Sequence, residues 1–196
     1  MPIILPKPGT FEYEEKKSRF IGFCTPVSTE AEARQVIESV RAAQKGANHN
    51  VFAYSVREGN IIRFNDDGEP GGTAGMPVLN VFQKTGVVDF VCVVTRYFGG
   101  TLLGAGGLVR AYTKAAKGAM DAAGPEEEIY SKFYKVTCAY PQFDKLKYDF
   151  EKWQVEILDI EYTEKCTLYV KVLDHLAQPF LEGDFERVEV EEISQE

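Results

Sequence analysis

From Ser18 to Val27 the apolar positions are dense enough for a strand. The spacing then changes, and Ala33, Val36, Ile37 and Val40 recur three and four residues apart, the stripe of an amphipathic helix. Thr29-Glu30-Ala31-Glu32 opens that helix as a capping box, and Lys45-Gly46 closes it. Val51 to Val56 and Ile61 to Phe64 read as short strands joined across Glu58-Gly59-Asn60. A loop from Asn65 to Gly75 holds four glycines in eleven residues, and Met76 to Lys84 follows as a short helix. Val87 to Thr95 is a nearly continuous β-branched run, which predicts a strand buried on both faces. Past a second glycine-rich loop, Leu108, Val109, Tyr112, Ala115, Ala116, Ala119 and Met120 return at helical spacing.

A boundary stands at Gly124-Pro125-Glu126-Glu127-Glu128, where a helix-ending glycine, a proline and an acidic run make an exposed connector. The expected domains are residues 1–124 and 129–196, with 125–128 as linker. In the second, Tyr134, Val136, Cys138 and Tyr140 alternate as one strand face, and Phe143, Leu146, Phe150 and Trp153 mark a helix. Val155 to Tyr162 pairs with Cys166 to Val172, and a final strand runs over about Phe185 to Val190. This is a split β-α-β pattern of the ferredoxin-like kind. The element between, Asp174 to Gly183, carries Pro179, so a helix there is short or broken. The fold class is α/β (α+β).

Charge sharpens the division. The net charge of −8 hides 14 basic against 12 acidic residues over positions 1–124, and 8 against 18 over positions 125–196. A polyanionic partner would meet the first half. The four cysteines, Cys24, Cys92, Cys138 and Cys166, lie far apart with no CxxC, which disfavours a zinc site and predicts reduced, buried thiols. The opening Met1-Pro2-Ile3-Ile4-Leu5-Pro6 is too short and too interrupted for a secretory signal, and no run suits a membrane helix. The expected location is cytoplasmic.

The strongest chemical signal runs from Thr95 to Tyr112. A buried strand ends at Arg96, five glycines follow (Gly99, Gly100, Gly104, Gly106, Gly107), and a helix begins near Arg110 with Lys114 and Lys117 on its polar face. Glycines let backbone N–H groups approach a ligand, and a helix N-terminus adds partial positive charge, so the stretch predicts a phosphate-binding corner with Arg96 and Arg110 aimed at one anion. The competing reading is that the glycines only make a tight turn and close packing. Walker and dinucleotide fingerprints do not fit, since no glycine precedes a Lys-Ser or Lys-Thr pair and Val109 stands where a third glycine belongs. The loop Arg63 to Gly75 adds Asp66, Asp67, Glu69 and Thr73. Its carboxylate spacing matches no calcium loop, and neither a metal nor a cofactor is expected. His49 is a possible proton carrier without a paired acid in its motif. No nucleophile elbow is present.

These residues carry a resemblance. Lys17-Ser18-Arg19-Phe20-Ile21, His49-Asn50 with Ala53-Tyr54, Asp66 to Pro70 with Thr73-Ala74-Gly75, Pro77 to Asn80, and all of Thr95 to Tyr112 are similar to the Impact (YigZ) family, in its bacterial two-domain branch. Met76 departs from the basic residue expected there. The resemblance implies an N-terminal domain like the βαβ domains of GHMP kinases and a small-subunit ribosomal protein, and a C-terminal domain like the last one of elongation factor G. It also implies a translation-linked or RNA-linked role. Some bacterial relatives are described as proline dipeptidases, but no metal-ligand set or nucleophile here supports that.

Two functions are weighed. One is a non-enzymatic binder of RNA, the ribosome or a translation factor, with Arg19, Arg63, Arg96, Arg110 and Lys114 on phosphates and Tyr97, Phe98 and Tyr112 for stacking. The other is an enzyme on a small phosphorylated ligand, with Asp67 or Glu69 as base. A protein-interaction module is the third, plainer possibility. The sequence displays a site without a reaction, which favours the binder.

Overall fold

The computed structural model describes residues 2–183 and 188–194. The chain divides into two units between Glu128 and Ile129. In chain order the first unit contains β1 (Ile3–Ile4), β2 (Gly9–Glu15), β3 (Ser18–Pro26), α1 (Glu30–Ala43), β4 (His49–Val56), β5 (Ile61–Asn65), α2 (Gly75–Thr85), β6 (Phe90–Tyr97), α3 (Ala105–Ala123) and β7 (Glu126–Glu127). Its main sheet has the order β2-β3-β6-β4-β5, with every neighbouring pair antiparallel. β3 and β4 therefore run parallel on either side of β6 with α1 between them in sequence, and β5 and β6 do the same around β4 with α2. These are two interleaved split β-α-β units.

α1 covers one sheet face, where Ala33 and Ile37 pack on Tyr54, Val56, Val91 and Val93. α2 and α3 cover the other, over Phe20, Val51, Ala53, Cys92 and Val94. Both faces of β6 are thus buried, as the β-branched run requires. It begins at Phe90 rather than Val87 because Val87 bridges to Ile3 instead. Phe82 and Phe90 stack with centroids 4.0 Å apart, and removing such rings from water contributes about 1.5–3 kcal/mol each. α3 lies unusually close to β3, because a Cβ at Gly22 would strike the Ala115 carbonyl. Val109, expected in the apolar stripe of α3, is 38 % exposed.

Thr29 caps α1 by accepting the Glu32 N–H at 3.2 Å, while the Glu32 carboxylate accepts the N–H of Ser28, one residue earlier than the capping box predicts. β2 has no counterpart among the predicted elements. β7, inside the expected linker, pairs with β1, and the Arg57 guanidinium holds both Asp89 and Glu128. Residues 125–128 are therefore strapped to the first unit.

The second unit contains β8 (Ser131–Cys138), α4 (Tyr140–Lys152), β9 (Glu156–Tyr162), β10 (Cys166–Leu173), α5 (Asp174–Leu181) and β11 (Glu189–Ile193). Its antiparallel sheet has the order β11-β8-β10-β9, the ferredoxin-like arrangement. Tyr140 starts α4 instead of ending a strand. α5 is only eight residues long with Pro179 inside it. The last strand lies a few residues beyond the predicted span, part of which (184–187) falls outside the described residues. All four cysteines are free and buried. Cys24 faces Cys92 across β3 and β6, and Cys138 faces Cys166 across β8 and β10, a pairing invisible in their sequence spacing. Burial pushes the Cys24 thiol up to about 12. Among the described residues no helix is long and apolar enough to cross a membrane.

Candidate functional site

β6 delivers Arg96 to the face that α2 and α3 cover, opposite Phe20 on β3 and His49 on β4. Its guanidinium is buried and donates Nη1–H to Glu69 Oε1 at 2.6 Å. The Tyr112 hydroxyl on α3 donates to the same oxygen at 2.7 Å, and Ser18 Oγ lies 3.4 Å from Arg96 Nη2. His49 donates Nδ1–H to the Asp67 carbonyl at 2.8 Å, which leaves Nε2 3.8 Å from Glu69 Oε1. Burial, then the hydrogen bond to Glu69, pushes the Tyr112 hydroxyl far above its ordinary value, so it remains a donor. Arg96 thus closes a buried ion pair and is not presented to solvent. The expectation that Arg96 and Arg110 point at one anion fails for this reason. Tyr112 is fully buried and cannot stack on a ligand.

The carboxylates of the 66–75 loop are also engaged internally. Asp66 accepts the N–H groups of Gly72, Ala74 and Gly75 at 2.7–3.0 Å, filling the N-terminus of α2 with the protein's own anion. Burial alone would raise its carboxyl, but the three donors outweigh that and hold it below the ordinary aspartate value. Asp67 Oδ2 accepts the Asn50 N–H at 2.6 Å. Thr73 turns the loop by donating to the Pro70 carbonyl.

Arg110 and Lys114 are different. Both are exposed, in the second and third turns of α3, and, with Tyr13, Glu15, Lys16, Leu103, Gly107 and Ala111, line a cavity of about 240 Å³. Among the described residues no carboxylate pairs with Lys16, Arg110 or Lys114, whereas Lys117 is held by Asp121. Lys114 Nζ sits 4.3 Å from the centre of the Tyr13 ring, and the Tyr13 hydroxyl donates to the Ala111 carbonyl at 2.9 Å. Burial, with Glu15 nearby, pushes that hydroxyl up to about 12. No side chain caps α3, whose N-cap is Gly104, so its first N–H groups have no partner within the helix.

The five glycines do unlike work. A Cβ at Gly99 would collide with the Lys17 backbone, so close packing requires glycine there. Gly100 and Gly104 adopt φ of +82° and +70° with open space around them, a demand of backbone conformation. Gly107 is close against Leu103, and Gly106 meets only the end of the Arg110 side chain. Arg19 and Arg63 lie on the α1 side of the sheet, beside Tyr97 and Tyr54 respectively. Arg19 is there paired with Glu12, and Arg63 lines a separate cavity with Arg34 and Arg41. The cavity residues that sequence reasoning missed, Tyr13, Glu15 and Lys16, come from β2 and its turn. The alternation of Phe11 and Tyr13 with Glu12 and Glu14 was the available signal.

A three-layer α/β domain with a cationic cavity at the head of one helix, followed by an acidic ferredoxin-like domain, defines the class of protein. Residues 16–120 match the Impact N-terminal domain, and residues 136–182 match a domain of unknown function, DUF1949. The chain is 37 % identical to the IMPACT family member YvyE of Bacillus subtilis, over 89 % of this chain and 81 % of that protein. It is 32 % identical to the IMPACT family member YigZ of Escherichia coli, over 94 % and 96 %. A crystal structure described as a hypothetical protein superimposes with a TM-score of 0.62 at 31 % identity, over 99 % of this chain and 98 % of that one. This chain belongs to the Impact family.

Proposed function

We propose that this protein is a non-enzymatic RNA binder that seats phosphates of the RNA backbone in the cavity formed by Lys16, Arg110 and Lys114. The observation that carries the reading is that three cations, none with a carboxylate partner among the described residues, outnumber the one acid, Glu15, around a cavity beside the first turns of an uncapped helix. Arg19, Arg57, Arg96 and Lys117 of this unit are paired with carboxylates, whereas these three are gathered around one cavity, where they attract an external anion. The positive balance of residues 1–124, against the acidic remainder, favours the first unit as the one that meets a polyanion. The family resemblance directs the search for that RNA to the translation apparatus, on the ribosome or with a translation factor, and hence to the cytoplasm.

A second reading, an enzyme on a small phosphorylated ligand, draws support from the cavity's size, which suits a small phosphorylated molecule. It lacks a base, because Glu69 is committed to Arg96 and Tyr112, and Asp67 to the Asn50 N–H. Titrating single-stranded RNA and inorganic phosphate against the whole chain tests the proposal. Arg110→Ala and Lys114→Ala should each weaken RNA binding about ten- to a hundredfold, in line with about 1.5–3 kcal/mol for a charge-assisted bond. RNA binding indifferent to both substitutions refutes it.

A further inference from the structure

The same loop carries a second feature that the phosphate seat does not use. Phe98 follows β6 directly and leaves 43 % of its surface exposed. Single exposed aromatics are common on soluble proteins, but this one is fixed on several sides. Its backbone N–H donates to Asn48 Oδ1 at 2.7 Å. The Arg96 guanidinium lies 5.4 Å from its ring centre and 5.4 Å from that of Phe20. That guanidinium is immobilised by Glu69 and approached by Ser18. The neighbouring Gly99 donates to Ser18 Oγ at 3.2 Å and packs on the backbone of Lys17, whose neighbour Lys16 lines the cationic cavity. Ring and cavity are therefore linked through the packed backbones of Gly99 and Lys17.

We propose that the ligand of this site is single-stranded RNA, with one unpaired base stacked on Phe98 while the adjoining backbone phosphates occupy the Lys16–Arg110–Lys114 cavity. The inference rests on the phosphate-seat reading and adds a ligand class to it. A base has a π-face in every sequence, so a fixed ring beside a cationic seat recognises single strands without selecting a sequence. In an A-form duplex the base faces are already stacked on one another and unavailable. Arg96 acts here as a positioning residue, since its charge is spent on Glu69 and its guanidinium lies against the ring.

The test uses the whole chain and three probes: a short single-stranded oligoribonucleotide containing 2-aminopurine, its duplex, and inorganic polyphosphate. The parent should bind the single strand more tightly than the duplex and quench the 2-aminopurine fluorescence. Phe98→Ala should lose about tenfold or more in single-strand affinity, together with the quench, while its affinity for polyphosphate is retained. Phe98→Trp should restore both. Arg110→Ala should lose affinity for all three probes. If Phe98→Ala binds and quenches like the parent while Arg110→Ala does not bind, stacking is wrong and the phosphate seat stands. If Arg110→Ala binds all three like the parent, the phosphate seat itself is wrong. A parent that prefers duplex overturns the single-strand assignment.

Discussion

Arg96 shows how one residue can look like a ligand in the sequence and serve as structure in the fold. A guanidinium at the end of a buried strand, next to five glycines, reads as an anion contact. The fold instead surrounds it with Glu69, Tyr112, Phe20 and Phe98. Removing one partner of a buried ion pair leaves the other charge uncompensated, at a cost of about 3–5 kcal/mol. Arg96→Ala should therefore lower the unfolding free energy, read from denaturant titrations, by that amount, whereas Arg110→Ala, at an exposed site, should leave it nearly unchanged. Equal stability of the two variants would show that Glu69 is not relying on Arg96. Gly106 offers the complementary case. It is exposed at the start of α3, adopts no left-handed conformation, and an added Cβ meets only the flexible end of Arg110. Alanine is the better helix former there by about 0.5–1 kcal/mol. Gly106→Ala should keep or raise the melting temperature while weakening RNA binding, if glycine is present so that a phosphate can approach the backbone. Undiminished binding would mean that the position serves no ligand.

At the scale of elements, α2 is held by the loop before it. The Asp66 carboxylate gathers three N–H groups at its N-terminus and is held below the ordinary aspartate value, with burial opposing and the donors prevailing. A depressed carboxyl pKa stabilises the fold above the unfolded value and loses that contribution as pH falls through the folded one. The stability gap between the parent and Asp66→Asn should be constant near neutrality and shrink only below about pH 4, as read from urea midpoints across pH. A gap that persists in acid would mean that the side chain's shape, and not its charge, holds the loop. This element was legible in advance as a glycine-rich loop followed by a helix, but its purpose was not, because Asp66 meets Gly75 only once the loop closes. The strands with strong apolar runs, β3, β4, β6 and β10, were likewise legible, as was the proline-shortened α5. β2 was not recognised despite its alternation, and with it Tyr13 and Lys16 were lost from the site. The split between Arg19 and Arg63 on one sheet face and Arg96 on the other depends on register, which no local pattern records.

At the scale of the molecule, the charge division and the structural division nearly coincide, but the border is strapped down. β7 pairs with β1, and Glu128 is gripped by Arg57. A fragment ending at residue 128 should melt cooperatively on its own and at a higher temperature than one ending at residue 124. Identical melting would show that the strap contributes nothing. The second unit carries most of the negative charge, so its removal should strengthen non-specific RNA binding by the first. The central claim is that Lys16, Arg110 and Lys114 neutralise RNA phosphates, and the most direct measurement of it is the dependence of RNA affinity on salt. Each phosphate neutralised on a single strand contributes a slope of about −0.7 in log affinity against log salt. For Arg110→Ala/Lys114→Ala the slope should become shallower by about 1.4 relative to the parent, with affinities converging at high salt. A double variant with the parent's affinity and the parent's slope would contradict the account.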